Sequence, residues 1–301
     1  MTQEIKAKTI VSQFINASGW FGINYNMNIY KGCSHGCIYC DSRSDCYRID
    51  GFDKVRVKAD ALQIIGKELK GKKKKGVIAT GSMSDPYNPL EKTLRQTRGA
   101  LELIDQNKFG VAVATKSSLA ERDIDIFKKI KRHSPAILKI TITAADDNLC
   151  KVIEPAVSLS SARFMTLEKF AAAGIFCGVL LMPLLPHITD GESNVKSIIE
   201  RAADAGADFV YGGSGVTLRD SQRAYFFDKL DQNFPGVKEK YLKEFGNSYS
   251  CGTKSEKLWA VFKETCEKRG IKYRMKDIIA KSREPYQKEY EKYEQLSMFD
   301  S

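Results

Sequence analysis

The sequence predicts an α/β fold built on a parallel sheet, followed by a mostly helical C-terminal extension. Between residues 76 and 212, short apolar stretches alternate at a regular interval with segments of helical periodicity. This pattern is typical of parallel β-α units joined by right-handed crossovers. Beyond Arg219 the helical pattern continues with few strand signals. The chain has 301 residues, of which 43% are hydrophobic, so it can form one large core.

The predicted strands are short and apolar or β-branched, and they comprise Asn26–Tyr30, Gly76–Thr80, Gly110–Thr115, Ile137–Thr143, Ile175–Met182 and Phe209–Gly212. The predicted helices between them have apolar side chains three or four positions apart, and they comprise Ala59–Leu69, Leu94–Gln106, Ile124–Arg132, Ser160–Ala173 and Asn194–Ala205. The polar segment Asp41–Asp50 is predicted to be a loop. Six β-α steps result, whereas a closed TIM barrel needs eight.

The C-terminal extension is predicted to contain four helices that cover the open side of the sheet, and they comprise Ser221–Leu230, Val237–Phe245, Ser255–Arg269 and Arg283–Glu294. We therefore divide the chain into an N-terminal extension of residues 1–20, an α/β unit of residues 21–220 and a helical extension of residues 221–301. Ligands of parallel α/β folds bind at the carboxyl ends of the strands, so we expect the chemistry in the second part.

The charge balance favours a polyanionic partner such as nucleic acid. There are 48 basic and 37 acidic side chains, a formal net charge of +11. A lysine-rich surface without a specific partner is the alternative, and composition alone does not separate the two. The candidate contacts are basic and aromatic residues, and they comprise Lys72–Lys75, Lys238, Lys240, Tyr241, Lys243, Tyr249, Arg269, Lys272, Tyr273, Arg274 and Lys276.

Targeting and membrane signals are weak in this sequence. Residues 1–10 lack the apolar core of a secretory signal. The longest apolar run, Ile175–Pro186, is shorter than the roughly 20 residues that cross a bilayer. The cysteines are clustered at one end and otherwise scattered, unlike a disulfide framework. We therefore expect a cytoplasmic protein without a membrane partner.

Three cysteines, Cys33, Cys37 and Cys40, lie within eight residues of each other. Thiolates at such short spacings converge on one metal centre, and the glycines before the first two allow tight turns. Three thiolates leave one iron of a [4Fe–4S] cluster without a protein ligand, which opens that iron to chemistry. A four-thiolate zinc site that adds Cys46 is one alternative, and ordinary burial of the cysteines is the other.

The C-x3-C-x2-C spacing, with Tyr39 before the last cysteine, resembles the signature of the radical S-adenosylmethionine (SAM) enzymes. The resemblance implies that Cys33, Cys37 and Cys40 hold a [4Fe–4S] cluster whose fourth iron is chelated by SAM. It implies that the cluster, reduced by an electron donor, cleaves SAM to a 5′-deoxyadenosyl radical. It also implies a partial (β/α)6 barrel, which agrees with the six predicted steps, and it places Tyr39 near the adenine.

Two further stretches narrow the resemblance to the spore photoproduct lyase-like branch of this superfamily, from Met27 to Arg219. They are Ser84-Asp85-Pro86-Tyr87-Asn88-Pro89 after the second strand and Ala114-Thr115-Lys116-Ser117 after the third. By position, Lys116 matches a lysine that contacts the SAM carboxylate in that branch, and Thr143 is the candidate for a hydroxyl contact. Gly81 and Ser82, at the end of the second strand, are further candidates for SAM binding.

One position departs from this branch. The lyase has a cysteine that returns a hydrogen atom to the substrate radical, and the matching residue here is Ser82. The O–H bond of serine is too strong to replace a thiol in this role. Cys46 and Tyr87 are the other candidates for catalysis, and each is also explained as an ordinary loop or packing residue. The catalytic residue is therefore left unassigned.

The tail Gln295-Leu296-Ser297-Met298-Phe299 resembles the short peptide by which bacterial replication and repair proteins bind the DNA sliding clamp. Its apolar side chains would fill a pocket of the clamp, and Gln295 would fix the register. A disordered terminus without a partner is the alternative.

Together these features predict a radical SAM enzyme of the spore photoproduct lyase-like group, with a nucleic-acid base as the first candidate substrate. A peptide, an RNA or a small molecule is the alternative substrate for the same cofactor chemistry. A zinc-stabilised nucleic-acid-binding module without catalysis is the alternative from a different class of protein.

Overall fold

A seven-stranded sheet forms the centre of the molecule, whose computed structural model describes residues 3–14 and 19–286. The strands are β1 (Glu4–Ile5), β2 (Val11–Gln13), β3 (Tyr25–Met27), β4 (Tyr30–Lys31), β5 (Arg56–Lys58), β6 (Val77–Thr80), β7 (Gly110–Thr115), β8 (Ala136–Thr141), β9 (Phe176–Leu184), β10 (Phe209–Ser214), β11 (Val216–Thr217) and β12 (Ser250–Cys251).

The helices surround this sheet and extend beyond it. They are α1 (Ala61–Gly71), α2 (Glu91–Leu94), α3 (Gln96–Gln106), α4 (Ile124–Ile130), α5 (Asp147–Ile153), α6 (Ser160–Ala172), α7 (Glu192–Asp204), α8 (Asp220–Asn233), α9 (Val237–Phe245), α10 (Glu256–Lys268) and α11 (Met275–Arg283). Short 3₁₀ segments comprise Asp41–Arg43, Asp45–Tyr47, Ser118–Asp123 and Glu284–Tyr286.

The central sheet has the strand order β10-β9-β8-β7-β6-β3-β2. Six of these strands are parallel, and β2 pairs antiparallel with β3 at one edge. Helices α3, α4, α6 and α7 each lie between successive strands from β6 to β10 along the chain. The predicted α/β fold with six parallel strands is therefore confirmed.

The first predicted strand, Asn26–Tyr30, is wrong as one continuous element. Its first part belongs to β3, which pairs with β6, whereas β4 pairs with β5 in a separate three-stranded sheet. Between them, the carbonyl of Ile29 accepts a hydrogen bond from the N–H of Lys58 (3.0 Å). The chain therefore leaves the main sheet before it reaches the cysteines.

Several helical segments have no counterpart in the sequence prediction. The predicted loop Asp41–Asp50 contains two 3₁₀ segments, and α5 lies where no helix is predicted. The predicted helix Arg283–Glu294 begins where helix α11 ends, at Arg283, and the 3₁₀ segment Glu284–Tyr286 follows. The remainder of the predicted helix lies outside the described residues. These segments are three to nine residues long, so they show little periodicity in the sequence.

Strand side chains divide between two apolar layers. The outer layer, between the sheet and the helices, includes Leu138, and the inner layer, on the concave face, includes its neighbour Ile137. Phe21, from the segment before β3, and Ile278, from α11, pack into the inner layer. Residues from the segment before β3 and from the helical extension therefore contribute to the inner layer.

The helical extension packs at three places. Helix α8 contributes Phe226 to an apolar cluster that includes Ile38 and Tyr39 of the cysteine loop, which we define as residues 32–40. Helix α10 packs on α7. The carbonyl of Lys272 accepts a hydrogen bond from the N–H of Val210 on the edge strand β10 (2.9 Å). The extension therefore supports the cysteine loop and covers the free edge of the last parallel strand.

Residues 11–13, which the sequence analysis places in the N-terminal extension, form the edge strand β2 of the central sheet. The N–H of Val11 also donates to the carboxylate of Glu68 on α1 (2.8 Å). This segment is therefore integrated into the α/β unit.

The basic run Lys72–Lys75 packs against aromatic rings at the amino end of β6, opposite the cysteine loop. The ammonium of Lys72 lies 4.5 Å from the ring centroid of Tyr25, and that of Lys75 lies 4.5 Å from that of Phe109. In the part of the chain that the structure describes, no helix combines the length and apolar character needed to cross a membrane. The clamp-like tail Gln295–Phe299 lies outside the described residues.

Candidate active site

A cavity of about 100 Å³ lies where the carboxyl ends of β6, β7 and β8 meet the cysteine loop. Its wall combines three thiols, several hydroxyls, one carboxylate and one ammonium, and it includes Cys33, Cys37, Cys40, Ser82, Asp85 and Lys116. Parallel sheets bring the residues after neighbouring strands to one edge, where ligands bind. The cavity is therefore the candidate active site.

Backbone contacts hold the cysteine loop over this cavity. The N–H of Cys33 donates to the carbonyl of Phe52 (2.8 Å), and the N–H of Ile38 donates to that of Ile153 (3.0 Å). Gly32 has a φ of +82°, and a Cβ there would lie 2.6 Å from the Phe52 carbonyl oxygen. Only glycine fits this turn without strain, as the sequence predicts.

Burial and neighbouring charges act unequally on the three thiols. Burial opposes ionisation of Cys33, but the hydrogen bond and the charge of His35, with the backbone N–H of Asp85, together outweigh it, so the pKa of this thiol lies below its usual value. Burial raises the pKa of Cys37 and of Cys40, and the positive charge of Lys116 acts against this rise. The basic groups beside the loop therefore favour thiolates, the form of cysteine that binds metals.

Asp85 organises one wall of the cavity. Its carboxylate accepts hydrogen bonds from the hydroxyl of Thr115 (2.7 Å) and from the backbone N–H of Lys116 (2.8 Å). It also lies 3.4 Å from Nδ1 of His35 in the cysteine loop. One buried carboxylate therefore joins the segments that follow β6 and β7 to the cysteine loop.

Lys116 supplies the positive charge of the cavity wall. Burial lowers the pKa of its ammonium, but the acidic groups around it, which are Cys37, Glu154, Cys40 and Asp85, together outweigh this effect, so the pKa is raised. The ammonium lies 5.6 Å from the ring centroid of Tyr39. A lysine that stays protonated in a partly buried wall can bind a carboxylate by a charge-assisted hydrogen bond.

Behind the cysteine loop, Glu154 and Arg163 form a buried ion pair, with side chains that are 1% and 0% exposed. The hydroxyl of Tyr39 donates to Glu154, and Arg163 donates to the backbone carbonyl of Thr141 (2.6 Å). The pair therefore joins the loop to the carboxyl end of β8. Sequence reasoning missed it, although an arginine at a buried position of α6 is the signal that could have found it.

The structure places the predicted SAM-binding residues at different depths. Gly81 and Ser82 line the cavity, as Lys116 does. Thr143 does not: it is fully buried, and its hydroxyl has no hydrogen-bond partner among the described residues. Thr141 lines the cavity instead, because β8 ends there and that side chain lies on the concave face. Tyr39 lies behind the wall, with its hydroxyl on Glu154.

Of the three catalytic candidates, only Ser82 lies at the cavity. Cys46 is exposed, and its Sγ lies 3.3 Å from the hydroxyl of Ser44. Tyr87 is 1% exposed, and its hydroxyl donates to Asp123 (3.1 Å) in the core. The structure therefore separates Cys46 from the other three thiols that the zinc alternative would need.

The donor set of the wall fits the implied cofactors. Thiolates are the usual protein ligands of iron–sulfur clusters. A lysine and small hydroxyl groups suit the carboxylate and ribose of SAM. Among the described residues, no three His, Cys, Asp or Glu side chains are arranged to hold a single metal ion.

Comparison with known proteins gives both a family and a fold. Residues 27–196 match the family model described as the Radical SAM superfamily. An uncharacterized protein of Mycobacterium tuberculosis is 26% identical over 245 residues, which cover 79% of this chain and 72% of that protein. An uncharacterized protein of Methanocaldococcus jannaschii is 34% identical over 191 residues, covering 63% and 70% respectively.

Among solved structures, spore photoproduct lyase complexed with dinucleoside spore photoproduct is similar, with a TM-score of 0.63. The identity is 13%, and the match covers 88% of this chain and 79% of that chain. This likeness concerns the fold, and it confirms the predicted partial-barrel architecture.

Proposed function

We propose that this chain, which belongs to the radical SAM superfamily, holds its [4Fe–4S] cluster on Cys33, Cys37 and Cys40 and binds SAM beside it. The observation that carries this assignment is the single cavity in which three thiols meet the ammonium of Lys116. When bound, the reduced cluster supplies the electron that cleaves SAM to a 5′-deoxyadenosyl radical, which removes a hydrogen atom from a substrate.

The residues of this chain have distinct roles in the proposed enzyme. Lys116 binds the carboxylate of SAM, and the hydroxyls of Ser82 and Thr141 face its ribose. His35 donates to the thiolate of Cys33 and so fixes its orientation.

A nucleic-acid base is the first candidate substrate, in a lyase-like DNA-repair reaction. The similar lyase is described with a dinucleoside photoproduct. Beside the cysteine loop, a surface depression of about 500 Å³ contains Arg43, Arg48 and Tyr225. The guanidinium of Arg43 lies 3.8 Å from the ring centroid of Tyr225. The two arginines and Tyr225 of this depression suit a phosphate backbone and an extruded base, and the carboxylates of Asp45 and Asp50 lie in the same wall.

A small molecule or peptide with an anionic group is the second candidate. It is favoured by Lys139, a buried lysine on the concave face of the sheet that could bind an anionic group. The absence of a thiol at Ser82 also weighs against a reaction that copies the lyase, because a serine hydroxyl does not return a hydrogen atom as a thiol does.

Anaerobic reconstitution with iron and sulfide tests the proposal. The wild-type protein should become brown and convert SAM to 5′-deoxyadenosine when dithionite is added. The variants C33A, C37A and C40A should lose this cleavage. C46A is the matched control and should keep it, since Cys46 is exposed and away from the cavity. Bound zinc without iron, or cleavage retained in all three variants, would refute the assignment.

The proposal extends to partners and location. Reductive cleavage requires an electron donor, and we propose a cytoplasmic one, because none of the eight cysteines forms a disulfide. We also propose that the tail Gln295–Phe299 binds the DNA sliding clamp, on the strength of its sequence pattern alone. The first substrate candidate gives this contact a purpose, since it would bring the enzyme to DNA.

A further inference from the structure

Lys139 is a buried lysine on the concave face of the sheet. It is 2% exposed and lies near the middle of β8, in register with Ala114 of β7 and Gly178 of β9. Two positions before it, Ile137 belongs to the inner layer, and two positions after it, Thr141 lines the cavity. Alternate residues of a strand share one face, so these three side chains form a column from the inner layer to the cavity.

The surroundings of Lys139 do not balance its charge. Its ammonium lies 4.7 Å from the ring centroid of Phe21. No described residue forms a hydrogen bond or an ion pair with it. Burial lowers the pKa of Lys139 to about 7, and no charged neighbour contributes to the shift. Its register partners Ala114 and Gly178 and the ring of Phe21 carry no titratable group, and no charged residue of a neighbouring element contributes to the shift.

Lys116 provides the contrast. It is also a lysine of the barrel, but negative charges at Cys37, Glu154 and Asp85 act on it and raise its pKa. Lys116 is therefore compensated by the protein, whereas Lys139 is not. An apolar side chain of similar length would fill the same space without the cost of burying an amine. Buried groups with strongly shifted pKa values in clefts are candidates for function.

We propose that Lys139 binds an oxyanion of the substrate, a carboxylate or a phosphate, inside the barrel below the cysteine cavity. This inference rests on the proposed function and deepens it, because it favours the second substrate candidate. At roughly 3.3 Å per residue, the backbone of Lys139 lies about 7 Å from that of Thr141. A small substrate held by the ammonium would therefore reach the cavity in which the radical is formed.

Binding of an oxyanion at this lysine must be coupled to proton uptake. The anion stabilises the charged form of Lys139 and raises its pKa. Enzyme molecules in which Lys139 is neutral therefore take up a proton when the anion binds. At about pH 8 we expect uptake of close to one proton, and at about pH 5.5, where the ammonium is already charged, we expect none.

Isothermal titration calorimetry in buffers of different ionisation enthalpy measures this uptake. The protein is the reconstituted enzyme with SAM bound and no reductant, and the probes are sodium sulfate and sodium acetate. Neither probe titrates near pH 8, so the uptake belongs to the protein. Stronger binding of sulfate indicates a phosphate in the natural substrate, and stronger binding of acetate indicates a carboxylate.

The variant K139M should bind the preferred probe at least about tenfold more weakly, with no proton uptake at the higher pH. K196M is the matched control, because Lys196 is an exposed lysine of α7, 58% exposed; it should match the wild type. The proposal would be overturned if the wild type bound neither probe, if K139M bound the preferred probe as strongly as the wild type, or if binding to the wild type took up no proton. The comparison of proton uptake at the two pH values needs only the wild type, so it tests the proposal even if K139M does not fold.

SAM cleavage separates this inference from the proposed function. K139M should still form 5′-deoxyadenosine with dithionite, because Lys139 is not assigned to the cofactor. Loss of SAM binding in K139M would assign the lysine to SAM and refute an oxyanion site for the substrate. Failure of the wild type to cleave SAM would refute the proposed function, while the calorimetric result would still decide whether the anion site exists.

Discussion

The carboxylate of Asp85 accepts a hydrogen bond from the backbone N–H of Lys116 at a distance of 2.8 Å. Asp85 follows β6 and Lys116 follows β7, so this bond holds the backbone of Lys116 in place against the segment after β6. The second carboxylate oxygen accepts from Thr115 at the end of β7. The position of the Lys116 ammonium in the cavity thus depends on the buried carboxylate of Asp85, even without direct contact between Asp85 and SAM.

The substitution D85N should weaken SAM binding without unfolding the protein. An amide nitrogen in place of one carboxylate oxygen no longer accepts either the hydrogen bond from the Lys116 N–H or the one from the Tyr87 N–H at the oxygen that also accepts from Thr115, and loss of the charge removes the ionic contact with His35. Substitutions behind metal and cofactor ligands typically cost about 10–100-fold in affinity. Equilibrium dialysis of the reconstituted protein with SAM measures the effect. D53N is the control, because Asp53 is 60% exposed in its pair with Arg43, and equal SAM affinity in both variants would contradict the role of Asp85.

The buried pair Glu154–Arg163 should show strong coupling in a double-mutant cycle. R163M leaves Glu154 as an unpaired buried charge, and such losses typically cost about 3–5 kcal/mol of the free energy of unfolding. The double variant E154Q/R163M should cost clearly less than the sum of the single variants, because neither charge is then left alone. Urea unfolding measures all three.

An exposed pair serves as the reference for this cycle. Lys169 and Glu121 form an ion pair whose side chains are 58% and 25% exposed, so K169M should lose much less stability than R163M. Additive effects of E154Q and R163M would show that the two residues do not act as a unit.

K139M should raise stability near neutral pH and flatten its dependence on pH. Burial lowers the pKa of Lys139 to about 7 in the folded state, whereas an unfolded lysine titrates near its ordinary value of about 10.4. Between these values the unfolded chain binds more protons, so the stability of the wild type should rise with pH, by up to about 1.4 kcal/mol per unit. The variant lacks this rise.

The measurement is urea unfolding of the wild type and K139M at several pH values between about 6 and 10. The difference between the two proteins isolates Lys139 from other groups that titrate in the same range. K196M should follow the wild type at every pH. Parallel curves for the wild type and K139M would mean that the ammonium of Lys139 is not buried in solution.

Deletion of residues 295–301 should abolish binding to the DNA sliding clamp and leave SAM cleavage unchanged. The apolar side chains of Leu296 and Phe299 carry the expected contact, so the double variant L296A/F299A should have the same effect as the deletion. Surface plasmon resonance with purified clamp measures the binding. Equal binding by the full-length and shortened proteins would show that the sequence match is accidental.

Local sequence determined the parts of the site that adjoin one another along the chain. The spacing of Cys33, Cys37 and Cys40 and the glycine before each tight turn are properties of a few consecutive residues. Lys116 was found in the same way, because a strand of six apolar or small residues precedes it and its position after that strand is unambiguous. The order of strands and helices likewise follows from periodicity, which is a local property.

The tertiary structure decided which distant residues meet. Arg163 reads as an ordinary charge on a predicted helix and Glu154 lies outside every predicted element, and only packing against the cysteine loop makes them a buried pair. Thr141 rather than Thr143 faces the cavity because β8 ends there. Lys139 reads as one lysine in an apolar strand, and its solitary burial depends on Phe21, which lies over a hundred positions away in the chain. Burial and charge pairing are set by all neighbours in space, so a sequence pattern that spans one strand or helix cannot contain them.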